Sequence, residues 1–344
     1  MGTGRDRLIG AGLAAFRLTR LHRALAPLTR GRGAILAFHH VRPPSSQAFQ
    51  PNGGLSITPE HLDAVLHHLR RGGTRIVPLD AVPDELAAEG APFVALTFDD
   101  GYRDNVRHAL PVLERHEAPF TVFVTTGFAD RSSRLWWLEL EEAVRAGEAL
   151  RLELGGRVVA LRTRTLSEKH RAFAWLARHL RNAPPVVVDA ALAAFGRAPA
   201  QARSLVDALC LDWDGIARLA AHPLAAIGCH TLSHPCLAAL NRGTAQRELE
   251  AARAIIAGRI GRAVRHLAYP YGSPAAAGSR EFALAAELGF ATAVTTRPGV
   301  LHEAHRSRLT ALPRISVNGL WPRLDVLDIL LSGAPFALRR LTGH

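Results

Sequence analysis

Residues 93–101 read Phe-Val-Ala-Leu-Thr-Phe-Asp-Asp-Gly, and this stretch decides the fold. Six mainly apolar residues make a short run suited to a fully buried strand, and the run ends abruptly on two carboxylates and a glycine. Downstream, the pattern predicts a helix from about Asn105 to His116 and a second apolar strand, Phe120–Val124. Strand, helix and strand at this rhythm imply right-handed βαβ units and a parallel sheet. Working outward, Gly33–His40 reads as an earlier strand ending in two histidines before Pro43-Pro44. Thr58-Pro59-Glu60 opens a helix, and Thr74–Val77 is another short strand.

The rhythm breaks from about Phe128 to Leu211. That stretch holds Trp136-Trp137, a hairpin signal at Gly155-Gly156 and alanine-rich helical patterns broken at Pro184-Pro185. It reads as a mostly helical insertion beside the mouth of the fold. The rhythm then resumes with strands at Ala225–Cys229, Arg265–Ala268, Ala291–Thr295 and Pro313–Val317 and helices at Thr244–Ile260, Arg280–Leu288 and Arg323–Leu331. The expected architecture is an α/β chain forming a distorted barrel of seven to eight strands. Its organisation is a basic amphipathic N-terminal helix (1–30), a first barrel part (31–127), the insertion (128–211) and a second barrel part (212–344).

Composition narrows the function classes. The 344 residues carry a formal charge of +12, and Lys169 is the only lysine, so the basic residues are nearly all arginine. They are spread along the chain without a zinc finger, helix-turn-helix or aromatic RNA-binding signature, which argues against nucleic acid as a partner. Three cysteines, Cys210, Cys229 and Cys236, give no disulfide framework and favour a reducing compartment. Leu8–Phe16 is too short for a membrane span of ~20 residues, and no small-residue cleavage site follows it. Residues 5–28 are expected to form one basic amphipathic helix, lying on a membrane surface or packing on the domain. The expected location is cytoplasmic, with peripheral membrane contact through that helix.

Three groups fall at strand ends, where parallel α/β folds build their sites: His39-His40, Asp99-Asp100, and His230 with His234. Adjacent carboxylates repel unless a cation relieves one, which suggests one on a metal and its neighbour free as a base; helix capping by either is the plainer alternative. Histidines four apart lie on one side of a helical turn, and with a carboxylate they make a three-ligand set with open positions for water. Cys229 and Cys236 flank the pair, but Cys229 reads as a small core residue.

Thr97-Phe98-Asp99-Asp100-Gly101, His230-Thr231-Leu232-Ser233-His234-Pro235 and Tyr269-Pro270-Tyr271-Gly272 resemble, in order, the successive motifs of NodB-like polysaccharide deacetylases. The resemblance covers about residues 33–130 and 212–318. It implies a distorted (β/α) barrel, a divalent metal with zinc the favoured ion, and removal of N- or O-acetyl groups from a carbohydrate, an N-acetylated amino sugar above all. By the same resemblance Asp99 is the base, and Asp100, His230 and His234 are the ligands. The Tyr269-Pro270-Tyr271-Gly272 segment binds substrate, with the Tyr271 N–H at the oxyanion.

Two departures stand out. The family's arginine before the Pro-Tyr-Gly motif is replaced by Ala268, and Arg314 is the candidate to bring the same charge from another strand end. The family's C-terminal Leu-x-His motif is absent, since the corresponding tail reads Ile329-Leu330-Leu331-Ser332-Gly333. The chain instead resembles the branch with poly-N-acetylglucosamine deacetylases, in which a first-strand histidine is the general acid; His39 is the choice and His40 the alternative. Competing readings are a cyclic amide or ureide hydrolase of the same fold, a ferrous-iron oxygenase and a non-catalytic carbohydrate-binding relic.

Overall fold

The computed structural model describes residues 4–154 and 156–341. Seven parallel strands close into a ring: β1 Gly33–Phe38, β2 Phe93–Phe98, β3 Phe120–Val124, β4 Ala225–Cys229, β5 His266–Ala268, β6 Thr292–Pro298 and β7 Leu312–Ser316. Each strand pairs with the next in sequence, and β1 closes the ring by pairing with both β2 (Gly33↔Phe93 to Phe38↔Phe98) and β7 (Leu36↔Ile315). The eighth strand of the expected range, Arg75–Ile76, lies outside the ring, against β2 at Phe93 and Val94.

Every residue of β1, β2 and β3 is buried, as parallel strands covered on both faces require. Alternation sorts them. Ile35, Ala95, Phe123, Ala268, Val294 and Leu312, from six different ring strands, form one cluster that fills the ring. Leu36, Phe38, Leu96, Phe98 and Val122 join the larger cluster beneath the surrounding helices. The remaining strand, β4, offers Gly228 at this layer. A Cβ there would stand 2.3 Å from the Phe123 ring, so the glycine makes room for it.

The chain between β3 and β4 forms the helix Trp136–Ala146, the hairpin Ala149–Leu154/Arg157–Arg162, and the helices Leu166–Leu180, Pro185–Ala194 and Pro199–Leu209. Gly155, at the expected hairpin tip, lies outside the described residues. These elements own a core of Leu140, Val144, Leu152, Leu176, Leu180 and Leu192. A further cluster, with Tyr102 and Phe128 against Trp137, Leu138, Val206 and Cys210, fixes them to the barrel rim.

The single N-terminal helix expected over 5–28 is two helices, Gly4–Thr19 and Leu21–Thr29. Arg20 breaks them, with φ of 53° in the left-handed region. The first helix packs on the barrel through Leu13 against Val326 and Ile329. The side chains of Arg5 and Arg7 lie outside the described residues.

Candidate active site

β2 and β4, the two neighbours of β3, end at the same rim. Asp100, two residues beyond β2, faces His230, one residue beyond β4, and His234 closes a triangle whose ligand atoms all lie within 4.8 Å of one another. Asp100 Oδ1 is 3.4 Å from His230 Nε2 and 3.3 Å from His234 Nε2. His230 Nδ1 lies 2.7 Å from the Ala268 carbonyl and donates to it, which leaves the Nε2 lone pair aimed at the carboxylate. Asp100 Oδ1 is buried without a hydrogen-bond partner. A buried carboxylate oxygen that faces two imidazole nitrogens without a hydrogen bond is costly by itself, and the arrangement fits a divalent cation. Burial alone would raise the Asp100 carboxyl, yet His230 and His234 hold it well below the usual carboxylate range.

The two histidines do not share a helical turn. Thr231 (φ 70°) and His234 (φ 61°) are left-handed, and Pro235 disfavours helix at His234. The loop is held from beneath by Glu248, whose carboxylate accepts from the Leu232 N–H (3.0 Å), the Ser233 N–H (2.9 Å) and Ser233 Oγ (2.7 Å). Of the seven non-glycine residues with positive φ among the described residues, four surround this site: Asp100, Thr231, His234 and Tyr271. Backbone strain of that kind is held where surrounding packing enforces it. Cys229 takes no part, since its Sγ faces the Leu249 carbonyl and burial pushes the thiol up to about 12.

Asp99 continues the inward series of β2 and meets Arg314, which is almost wholly buried on β7. The pair is bidentate, with Arg314 Nη1 to Asp99 Oδ1 at 2.8 Å and Nη2 to Oδ2 at 2.7 Å. Arg314 Nε donates to the Thr295 carbonyl and Nη1 also to Thr97 Oγ1, so the fork has one orientation. Burial would raise the Asp99 carboxyl, but Arg314 outweighs it and keeps the group below its ordinary value. His39 Nε2 lies 3.8 Å from Asp99 Oδ2, and the ring lines the cavity. His40 turns the other way. It is buried, with Nδ1 2.6 Å from Asp104 Oδ2 and its ring stacked on Tyr102. Of the two histidines, His39 alone lines that cavity.

The sequence profile of the polysaccharide deacetylase family matches residues 87–153 and 173–293, more than half of the chain. The chain belongs to the polysaccharide deacetylase family. Its fold is shared by the Streptococcus pyogenes deacetylase PplD, solved with acetate (TM-score 0.57, 18% identity, 87% of this chain and 96% of that one). IcaB from Ammonifex degensii is similar at TM-score 0.54 and 19% identity, covering 87% of this chain and 97% of that one. A polysaccharide deacetylase from Bacillus cereus gives TM-score 0.54 at 14% identity, over 87% and 68% of the two chains. No curated protein sequence matches the chain.

Around this candidate centre lies a cavity of about 490 Å³ that includes His39, Asp99, Asp100, His230, His234 and Arg314. Within the family's third motif the expectation of four substrate-contacting residues is corrected. Tyr271 lines the cavity, whereas Tyr269 is fully buried, with its hydroxyl donating to the Thr310 carbonyl at 2.8 Å. Pro270 and Gly272 are likewise buried and shape the turn; a Cβ at Gly272 would stand 2.4 Å from Thr296 N. The insertion expected beside the mouth supplies the cavity's far wall, and sequence reasoning missed the residues that line it. Trp137 lies 4.9 Å from the His234 ring, Trp136 Nε1 donates to Tyr271 Oη at 3.0 Å, and Phe173 and Arg181 complete the wall. The adjacent tryptophans in a polar segment were a usable signal. Arg181, one arginine among many, gave none.

Proposed function

We propose that the chain is a metal-dependent deacetylase that removes N-acetyl groups from an amino sugar within a glycan. The observation that carries this reading is the buried triangle of Asp100, His230 and His234 beside a separate carboxylate, Asp99, already paired with Arg314. A divalent cation on the triangle, zinc above all, supplies Lewis-acid polarisation of an acetyl carbonyl and lowers the pKa of water. Asp99, held ionised by Arg314, takes the proton of the attacking water. The Tyr271 N–H supports the oxyanion, a contact worth about 3–4 kcal/mol in other enzymes. His39 delivers a proton to the departing amine. The insertion, 128–211, walls the mouth and shapes which glycan enters.

The test is acetate release from N-acetylated oligosaccharides before and after chelation. Activity is expected to vanish with the metal and return with added zinc. Full turnover in metal-free protein, or no acetate from any acetylated glycan, overturns the reading.

The proposal extends to a partner surface. From Arg7 to Pro59 the sequence has seven arginines and no acid. On the two N-terminal helices Leu8 (76% exposed), Leu18 (80%) and Leu28 (84%) stand out beside exposed Arg17, Arg20 and Arg23. No described helix is long and apolar enough to cross a membrane, so these helices are suited to lie on an anionic lipid surface. Cosedimentation with phosphatidylglycerol vesicles, lost in L18S/L28S and absent with phosphatidylcholine alone, is the expected result. Equal binding by the variant rejects it.

A further inference from the structure

Two cavities meet at His234, Trp136 and Tyr271: the catalytic one and a neighbour of about 310 Å³. Three arginines line them. Arg314 is locked to Asp99, and Arg134 is shared between Glu139 and Asp189. Arg181 is the exception, with no carboxylate partner among the described residues. Some other arginines of the insertion find acids, Arg131 with Asp207, Arg145 with Glu141 and Arg197 with Glu142, whereas Arg178 and Arg203, like Arg181, are exposed and have none among the described residues. The acids that line the two cavities are also committed, Asp99 and Asp189 to those arginines and Asp100 to the histidine triangle. One uncompensated positive charge therefore stands at the junction of the cavities.

Arg181 is exposed, and one ring contact locates its guanidinium. Arg181 follows the Leu166–Leu180 helix directly, and its guanidinium carbon sits 5.3 Å from the centre of the Tyr271 ring. That ring lies 5.0 Å from the His234 ring and is held by the Trp136 hydrogen bond. The guanidinium is thus one aromatic ring away from the centre that handles the acetyl group. The neighbouring cavity adds Ser132, Ser133 and Asn182, side chains that carry hydrogen-bond donors.

We infer that Arg181 selects glycans carrying an anionic group, carboxylate or phosphate, on the residue or substituent next to the acetylated sugar. This rests on the deacetylase reading and names its substrate class. The sugar ring stacks along Trp136 and Tyr271, which carry apolar faces and fixed polar tips. The guanidinium fork then takes two oxygens of the adjoining anion, a geometry that carboxylate and phosphate both match. A neutral glycan leaves the fork in water and gains nothing from it.

The experiment is calorimetric binding of three probes to the full chain: tri-N-acetylchitotriose, a hyaluronan tetrasaccharide bearing glucuronate carboxylates, and UDP-N-acetylglucosamine bearing phosphates. Wild-type protein is expected to bind at least one anionic probe tenfold or more tighter than the neutral one. Which anionic probe tightens tells carboxylate from phosphate. R181A should weaken that probe by about ten- to a hundredfold, the range of a hydrogen bond to a charged group, and leave the neutral probe within about twofold. R181K should recover only part of the preference, because it restores charge without the fork. The inference is overturned if the anionic probes bind wild-type protein no tighter than the neutral one, or if their advantage survives R181A. Acetate release by the zinc-loaded protein is scored separately on the same probes. Its absence with the binding preference intact sinks deacetylation and leaves the anion site standing.

Discussion

The barrel rim and the inserted wall face each other across one cavity and are built on opposite terms. The rim places Asp99, Asp100, His230 and Arg314 at the ends of strands whose neighbours are wholly buried, with left-handed residues pinned by packing. The wall places Trp136, Trp137 and Phe173 on helices with a core of their own, and Arg181 just beyond one of them. A rigid lattice positions reacting groups to the fraction of an ångström that proton transfer needs. A separately folded wall can change its lining without disturbing that lattice. Under the proposed function, chemistry and selectivity occupy different architectural layers.

Changes at the rim should be large and distinguishable. Asp99→Asn is expected to cut kcat on the order of 10²–10⁴-fold, the range of general base catalysis, with zinc content unchanged by elemental analysis. Asp100→Asn should lose metal and turnover together. Near-normal rates in the first variant would break the division between the two carboxylates.

Next in size is Arg314→Met, which leaves the buried Asp99 charge unpaired. Urea unfolding should show a loss of about 3–5 kcal/mol near neutral pH, and turnover should fall with it. The pH dependence has a definite sign. Asp99 has a folded-state pKa below its ordinary 3.8. The pair's contribution is therefore fully present above 3.8 and lost as pH falls through the lowered value. The gap between wild type and variant should narrow in acid, and a constant gap would mean that the pairing is not its source.

Smallest is a change in the wall. Trp136→Phe keeps the ring face and removes the hydrogen bond to Tyr271. A shift in KM of about two- to tenfold at unchanged kcat is expected, matching one hydrogen bond of about 0.5–1.5 kcal/mol. A large fall in kcat instead would move the wall into the catalytic layer and erase the contrast.

Legibility followed the same division. Parallel barrel strands are short buried runs with functional residues at their ends, so Phe93–Phe98 and Ala225–Cys229 announced both the fold and the places to look. The spacing of His230 and His234 was read as a helical turn, and the convergence came from a strained loop anchored by Glu248, which no local pattern encodes. Tyr269 and Tyr271 look equivalent in sequence. Only the left-handed backbone at Tyr271, beside a fully buried Tyr269, sends one to the cavity and the other to the core.

The sequence by itself determined the parallel α/β barrel, the two carboxylates, the two histidines and the first-strand histidine, because periodicity and residue chemistry are local properties. Tertiary structure brought His39, the choice from sequence, rather than His40 to the cavity and set the candidate Arg314 from the last strand on Asp99 from the second, and it alone left Arg181 without an acid. Those outcomes depend on which distant surfaces pack together, and the pairing of Arg314 with Asp99, 215 positions apart, is written in the geometry of the closed ring.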